Sequence, residues 1–298
     1  MNRPVADLHG SIPPLVCPFR HGKVDTEAYA EHVRRQASSG SGGILVNGTT
    51  GEPSVLTVGE RKELAEVAVV AADGRIPVVV ATGSQSYAET LELTTHAGTL
   101  DVAAVLVVTP YYIRPSQPGL IEYYVDLAGR NDLPMLVYHI PARAAVGVTV
   151  DTLAAIRDRA PNLVGIKHAV GDLAMVTDMV RTLGPEFRIF AGLEDLSFPM
   201  LALGAVGVMN AVGNLVPDRV AQLCHAVAAG DLAEARARHE ALTELNRAVF
   251  FETNPVPMKY MMRRLGLLDV NEHRLPMIAA SPELERRLDD VLIRAGLL

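Results

Sequence analysis

The sequence predicts an α/β protein, a (β/α)₈ TIM barrel with a C-terminal helical extension. Over roughly the first 210 residues, short apolar runs alternate with segments of helical periodicity, which is typical of parallel strands joined by helices. No glycine-rich dinucleotide fingerprint follows an early strand, so a closed barrel is favoured over an open doubly wound sheet. After Pro217 the periodicity is helical throughout.

The predicted strands are short and apolar, and several are rich in β-branched residues. The first is the weakest prediction because prolines interrupt it. In order, the strands cover residues 12–16, 43–47, 77–81, 103–108, 133–138, 163–167, 188–190 and 206–209.

A helix is predicted after each strand, and Thr57 and Glu60 are placed as a capping box at the start of the second helix. The barrel helices cover residues 25–38, 57–72, 88–100, 119–130, 149–158, 172–183 and 197–203. The later helices cover residues 218–229, 231–251, 255–265 and 281–295. We expect residues 1–215 to form the barrel with its site, and residues 216–298 to form a helical cap.

Composition excludes several classes of function. The chain has 298 residues, is 49% hydrophobic and carries a net charge of −7, without a basic stripe for nucleic acid or a polybasic run for a membrane. No apolar run could span a bilayer, and the N-terminus lacks the apolar core of a signal peptide. Cys17 and Cys224 fit no metal-ligand spacing and are predicted to be reduced. We expect a cytoplasmic protein that binds neither nucleic acid nor a membrane.

Lys167 ends the apolar run of residues 163–166 and is one of only four lysines. A buried lysine is costly while charged, because desolvation disfavours the ammonium form. One interpretation is an amine that attacks a carbonyl and forms a Schiff base. The other is a lysine that lies just past the strand in solvent. This stretch alone leaves both open.

Other residues follow the predicted strands at the end where barrel active sites lie. Most of them carry hydroxyl, amide or charged side chains, and Gly48, Gly192 and Met209 are the apolar members. They are Gly48, Thr49, Thr50 and Glu52 after the second strand, Tyr111 and Tyr112 after the fourth, Tyr138, His139 and Arg143 at the fifth, Lys167 and His168 at the sixth, Gly192 after the seventh, and Met209 and Asn210 at the eighth.

These residue types fit one chemistry, the attack of the lysine on a 2-oxo acid. Tyr138 could move protons through a relay of Thr49 and Tyr112. Residues 48–51 could hold a carboxylate with backbone amides, and Arg143 could bind a second carboxylate. No Asp, Glu or His cluster has metal-ligand spacing, so neither a metal nor another cofactor is expected.

Each of these residues also has a structural explanation. The loop at residues 49–52 could be a plain connection, Tyr111 and Tyr112 a packing pair, and Arg143 a surface charge. We interpret His139 and His168 as hydrogen-bonding partners rather than catalysts. Their shared location at one end of the barrel favours the functional interpretation.

The chain resembles, essentially end to end, the dihydrodipicolinate synthase/N-acetylneuraminate lyase family of pyruvate-dependent class I aldolases. Five motifs carry the resemblance because they occur together, in order, at the ends of the expected strands. They are GTTGE at 48–52, VTPYYIRPSQPGL at 108–120, YHIPAR at 138–143, GIKHA at 165–169 and ETNPVPMK at 252–259.

The resemblance implies a role for each matching residue. Lys167 would form the Schiff base with pyruvate, and Tyr138 would be the general acid and base. Thr49 would link Tyr138 to Tyr112, which family members insert into the site of a neighbouring subunit. Thr50 and adjacent amides would hold the pyruvate carboxylate, in a substrate site that also includes Gly48, Gly192 and Met209. The implied assembly is a homotetramer of tight dimers.

Within the family, the chain resembles the synthase branch. Thr49-Thr50 replaces the Ser-Thr of sialic acid lyases, and Arg143 matches the arginine that binds the carboxylate of aspartate semialdehyde. The resemblance implies condensation of pyruvate with L-aspartate 4-semialdehyde, the entry step of lysine biosynthesis. The alternatives are a related aldolase for a sugar acid or 4-hydroxy-2-oxoglutarate, and a non-catalytic sensor, which the lysine and proton relay disfavour.

Several positions depart from the branch. His139 replaces a usual Asn, Ala144 a Thr, Cys17 a Thr and His168 an acidic residue, so the two histidines could reshape the pocket for the second substrate.

The lysine-feedback site of some synthases is only partly present. Gln85, Glu89 and Tyr111 could serve, but Val58 and Arg61 stand where histidine is expected. We predict weak or absent inhibition by lysine.

Overall fold

A computed structural model of the chain describes residues 8–298. Residues 1–7, part of the N-terminus judged to lack a signal-peptide core, lie outside the described residues. The strands are β1 Gly10–Ser11, β2 Phe19–Arg20, β3 Lys23–Val24, β4 Ile44–Val46, β5 Val78–Ala81, β6 Ala104–Val108, β7 Met135–His139, β8 Leu163–His168, β9 Arg188–Ala191 and β10 Gly207–Val208.

The main sheet has eight parallel strands in the order β1, β10, β9, β8, β7, β6, β5, β4. Its two edges meet in the segment after β1. Ile12 N donates to Val208 O on one side at 2.8 Å, and Leu15 N donates to Leu45 O on the other at 2.9 Å. A sheet whose edges pair with each other is a barrel. The predicted (β/α)₈ barrel is therefore confirmed.

The first part of the chain differs from the prediction. A strand was expected over residues 12–16, but β1 is shorter and earlier, and Pro13 and Pro14, which lack N–H groups, interrupt the ladder that follows. The antiparallel hairpin of β2 and β3 was not predicted, because two-residue strands show no periodicity. Its turn is made by His21 and Gly22, with φ of 54° and 75°.

The helices otherwise follow the prediction closely. They are α1 Thr26–Ser38, α2 Val58–Ala72, α3 Tyr87–Ala97, α4 Gln117–Ala128, α5 Pro141–Ala144, α6 Val150–Arg159, α7 Leu173–Leu183, α8 Ser197–Ala202, α9 Pro217–Ala228, α10 Leu232–Ala248, α11 Val256–Arg264 and α12 Pro282–Arg294. The predicted capping box is confirmed, since Glu60 N donates to Thr57 Oγ1 and Thr57 N donates to the Glu60 carboxylate. Only α5 was missed.

The hydrophobic core has two layers. The larger layer lies between the sheet and the helices, and the smaller one fills the barrel interior, where Leu45, Leu106, Phe190 and Met209 are almost fully buried. Burial of a large apolar side chain stabilises the fold by about 1.5–3 kcal/mol. Tyr138 belongs to the inner layer, so the packing of the barrel interior orients it.

The helices after β10 pack against the barrel and against one another. The first of them, α9, packs against β1 and α10, while α11 packs against α12. The helix α11 buries seven of its nine residues, including Lys259, which is 0% exposed. Within residues 8–298, no helix is both long and apolar enough to cross a membrane.

Candidate active site

Lys167 and Tyr138 are paired in register on neighbouring strands β8 and β7. Lys167 is 3% exposed, and its Nζ lies 4.3 Å from the centre of the Tyr138 ring. The interpretation of Lys167 as a solvent residue beyond the strand is therefore wrong. The amine is buried at the carboxyl end of β8, beside an aromatic hydroxyl.

The phenol of Tyr138 is joined to a second hydroxyl. Its Oη lies 3.1 Å from Thr49 Oγ1, at the start of the 3₁₀ turn Thr49–Gly51 that follows β4. Tyr112, by contrast, is 85% exposed with a φ of 74°. Within the described chain it makes no hydrogen bond to Thr49. A single chain therefore brings together two members of the expected relay.

A cavity of about 340 Å³ opens at this end of the barrel. Its walls include residues of the barrel and of the segments that precede and follow α11. Among them are Gly48, Thr49, Tyr138, Arg143 and Asn254. Lys167 does not line the cavity, but it lies against Tyr138, which does.

The turn after β4 is closely packed. Thr50 is 2% exposed, and its Oγ1 accepts a hydrogen bond from Asn254 Nδ2 at 3.0 Å. A Cβ on Gly48 would lie 3.1 Å from both the Pro14 Cβ and a methyl carbon of Leu45. The backbone therefore approaches the barrel wall more closely than most other residues would allow.

The remaining predicted residues surround the same mouth. Arg143 is exposed on α5, which follows β7, and its side chain reaches the cavity. Gly192 follows β9, and its N–H donates to His168 O at 2.8 Å. Met209 follows β10 and is 1% exposed in the inner core. That these residues contact substrate stays a prediction.

His139 and His168 form a buried pair directly after Tyr138 and Lys167. Their Nδ1 atoms are 3.2 Å apart, and His168 Nε2 lies 3.2 Å from Asp172 O. Burial, followed by the charge of His168, lowers the pKa of His139 to about 4. Burial also lowers the pKa of His168. Both rings are therefore neutral near pH 7.

Sequence reasoning missed a buried acid. Glu194, after β9, is 3% exposed, and its Oε1 accepts a hydrogen bond from Ala211 N at 2.6 Å. Burial raises the pKa of Glu194 to about 7, against the Ala211 hydrogen bond and the charge of Lys167. The sequence does not predict this burial, because two adjacent acidic residues, Glu194 and Asp195, are typical of a solvent-exposed segment.

A buried ion pair was also missed. Lys259 Nζ lies 2.9 Å from Glu52 Oε1, and both side chains are almost fully inaccessible. Both residues fall in the motifs that carry the family resemblance, but Glu52 was interpreted as a loop contact and Lys259 received no role. Within residues 8–298, no group of three or more His, Cys, Asp or Glu residues is arranged to hold a metal.

The model of the Dihydrodipicolinate synthetase family matches residues 7–295. The chain belongs to this family. The membership predicted from the five motifs is confirmed.

Curated relatives in the dihydrodipicolinate synthetase family match over nearly their whole length. The 4-hydroxy-tetrahydrodipicolinate synthase of Thermus thermophilus is 43% identical over 292 residues, covering 98% of this chain and 97% of the relative. The enzyme of that name from Aquifex aeolicus is 38% identical, covering 97% of this chain and 98% of the relative.

Solved structures show the same fold. The crystal structure of dihydrodipicolinate synthase from Aquifex aeolicus superposes with a TM-score of 0.95 at 38% identity, covering 97% of this chain and 99% of that chain. The Thermotoga maritima dihydrodipicolinate synthase gives a TM-score of 0.94 at 37% identity, again covering 97% and 99%. A monomeric dihydrodipicolinate synthase variant gives 0.95 at 36% identity, covering 99% of each chain.

Proposed function

We propose that the protein is a 4-hydroxy-tetrahydrodipicolinate synthase, a class I lyase that condenses pyruvate with L-aspartate 4-semialdehyde. The observation that carries the proposal is the buried Lys167 Nζ, 4.3 Å from the ring centre of Tyr138, whose hydroxyl is hydrogen-bonded to Thr49. The name of the Thermus thermophilus relative, at 43% identity, supports the choice of reaction.

The reaction uses Lys167 and Tyr138. The Lys167 amine, after it gives up a proton, attacks the C2 carbonyl of pyruvate, and loss of water leaves an iminium ion. Tyr138 gives a proton to the departing hydroxyl and later accepts one from the pyruvate methyl group, which forms an enamine. The enamine carbon attacks the aldehyde carbon of the second substrate, and the new alkoxide takes its proton from Tyr138. The amino group of the semialdehyde then attacks the C2 iminium carbon and returns a proton to Tyr138, and the bond between C2 and Lys167 Nζ breaks, which closes the ring and frees the lysine amine.

The two carboxylates would be held at different places. The turn Thr49–Gly51, with the Thr50 side chain, would bind the pyruvate carboxylate close to Lys167. Arg143, exposed at the rim of the cavity, would bind the carboxylate of the semialdehyde through its two parallel N–H donors. Gly192 and Met209 would bound the site on the side of β9 and β10.

The proposed assembly is a homotetramer in a cytoplasmic enzyme. Tyr112 and Ile113 are 85% and 63% exposed on the loop between β6 and α4. Exposed neighbouring aromatic and aliphatic side chains favour burial against another surface. A second copy of the chain would bring its Tyr112 to Thr49 and complete the relay. The division into a barrel of residues 1–215 and a helical cap of residues 216–298 belongs to the same proposal.

A second candidate is an aldolase of the same mechanism with another acceptor, such as a sugar acid or 4-hydroxy-2-oxoglutarate. The buried pair of His139 and His168, beside both catalytic strand ends, favours it. The two candidates share pyruvate and differ only in the aldehyde.

Reductive trapping tests the mechanism. The protein is incubated with pyruvate and sodium borohydride, and its intact mass is measured. We expect one pyruvate adduct in the parent and in Lys62→Ala, which removes an accessible lysine paired with Glu92, and none in Lys167→Ala. An unmodified parent protein would overturn the Schiff-base mechanism. A trapped parent that turns over another aldehyde but not aspartate semialdehyde would select the second candidate.

A further inference from the structure

The ion pair of Lys259 and Glu52 joins two parts of the chain that are 207 residues apart. Their exposed side-chain fractions are 0% and 3%, and Nζ also lies 4.3 Å from the centre of the Phe19 ring. Arg274 lies over the same ring at 4.6 Å. Removing two charges from water is so costly that a buried pair is weak evidence for stability alone. The pair therefore needs another explanation.

Glu52 closes the turn Thr49–Gly51. It has φ 55° and ψ 45°, a left-handed conformation that is unfavourable for a residue with a side chain, and Pro53 follows it. Its N–H donates to Thr49 O at 3.1 Å. Such a conformation persists only where surrounding contacts hold it. The contact to Lys259 is the ion pair that holds the Glu52 side chain.

A second contact reaches the same turn from the same segment. Asn254 Nδ2 donates to Thr50 Oγ1 at 3.0 Å, and Asn254 is 7% exposed. Asn254 lies just before α11, and Lys259 lies within it. Two side chains of residues 254–259 therefore hold the middle of one short turn and the residue that follows it.

We infer that Asn254 and Lys259 are positioning residues that set the geometry of the pyruvate-binding turn, so that the segment from Asn254 into α11 determines how well pyruvate is held. Lys259 does not line the cavity and acts through Glu52, whereas Asn254 lines the cavity and acts on the turn through Thr50. The inference rests on the proposed function, because that function assigns the pyruvate carboxylate to this turn.

The test uses a double variant, Glu52→Gln with Lys259→Met. It removes both charges together and keeps most of the side-chain volume, so neither charge is left buried alone. We expect the KM for pyruvate to rise about 10-fold or more, since small misplacements of a binding group are costly, while the KM for the aldehyde stays within about 2-fold. Borohydride trapping at saturating pyruvate should still label the variant, because Lys167 is intact.

The matched control removes an ion pair from the same helix. Arg264 Nε lies 2.8 Å from Asp289 Oδ1 at the exposed contact between α11 and α12. The double variant Arg264→Met with Asp289→Asn should leave the KM for pyruvate unchanged. If α11 had a purely structural role, both double variants would lose thermal stability to a similar extent. The KM for pyruvate would then stay unchanged in both.

Asn254→Ala is a second variant that leaves no buried charge unpaired. It tests the positioning role if the first double variant does not fold. We expect it to raise the KM for pyruvate in the same direction. A folded variant that keeps the parent's dependence on pyruvate overturns the positioning role while the proposed function stands. A parent protein that pyruvate and borohydride do not label overturns the proposed function instead.

Discussion

His139 Nδ1 lies 3.2 Å from His168 Nδ1, and the two rings follow Tyr138 and Lys167 on adjacent strands. His168 Nε2 lies 3.2 Å from a carbonyl oxygen, that of Asp172, which can only accept. His168 therefore carries its proton on Nε2, its Nδ1 accepts, and His139 donates from Nδ1. The hydrogen bonds thus define one tautomer for each neutral ring.

This pair should make stability depend on acid pH. Folding lowers the pKa of His139 from 6.5 to about 4. Below pH 6.5 the unfolded chain therefore binds a proton at His139 that the folded chain does not bind. The free energy of unfolding falls as the pH falls towards 4. The contribution is roughly 3 kcal/mol. In His139→Asn the free energy of unfolding should vary less between pH 7 and 4. A constant difference between the two proteins across that range would contradict this.

Glu194 should act in the opposite direction. Folding raises its pKa from 4.5 to about 7, so the folded protein keeps a proton that the unfolded chain releases. The retained proton contributes roughly 3 kcal/mol to the free energy of unfolding. This stabilisation is fully present below pH 4.5 and is lost as the pH rises through 7. The difference in free energy of unfolding between Glu194→Gln and the parent should therefore favour the variant more at pH 8 than at pH 5. The exposed neighbour variant Asp195→Asn is the control and should show no such gain.

Tyr138→Phe should lower kcat by about 10²–10⁴-fold, because it removes the group that moves protons at the reacting carbons. Thr49→Val should lower kcat in the same direction, and Thr49→Ser, which keeps the hydroxyl, should restore most of it. Tyr124→Phe is the matched control, since it removes a buried hydroxyl that donates to Val107 O at 3.1 Å outside the site. Its cost should appear in thermal stability, and an unchanged kcat in Tyr138→Phe would refute the assignment.

Gly192→Ala should disturb the segment after Lys167. The added Cβ would lie 2.9 Å from the Ala169 Cβ and 3.2 Å from His168 O, so the backbone must shift at a cost of about 1–3 kcal/mol. We expect a lower melting temperature and slower adduct formation with pyruvate. Gly59→Ala, in α2, is the control, since the nearest atom to its new Cβ is 3.9 Å away. It should stabilise the protein slightly.

Inhibition by lysine should be weak or absent. The Arg61 guanidinium is buried, and it donates to Ala81 O at 3.1 Å and to Gly83 O at 3.2 Å. A fixed cation where the feedback site would have histidine opposes binding of a lysine ammonium group. Initial rates measured against added lysine give the inhibition constant. A submillimolar value would refute the prediction.

Local patterns determined most of the architecture. Alternating apolar runs and helical periods gave eight parallel strands and nearly all helices, because burial on both faces of a parallel sheet requires continuous apolar runs. Capping chemistry at Thr57 also appears directly in sequence, since donor and acceptor are three residues apart. The hairpin of β2 and β3 and the short helix α5 were not predicted, because neither is long enough to show a repeating pattern of apolar residues.

The sequence by itself also determined which chemical groups are available, namely a lysine at a strand end with hydroxyls and an arginine nearby. Tertiary structure decided which of them are buried and which partners they meet. It placed Lys167 beside Tyr138, Lys259 against Glu52 across 207 residues, and His139 against His168. The physical reason is that desolvation and charge pairing depend on atoms brought together by the barrel, and no local pattern encodes that proximity.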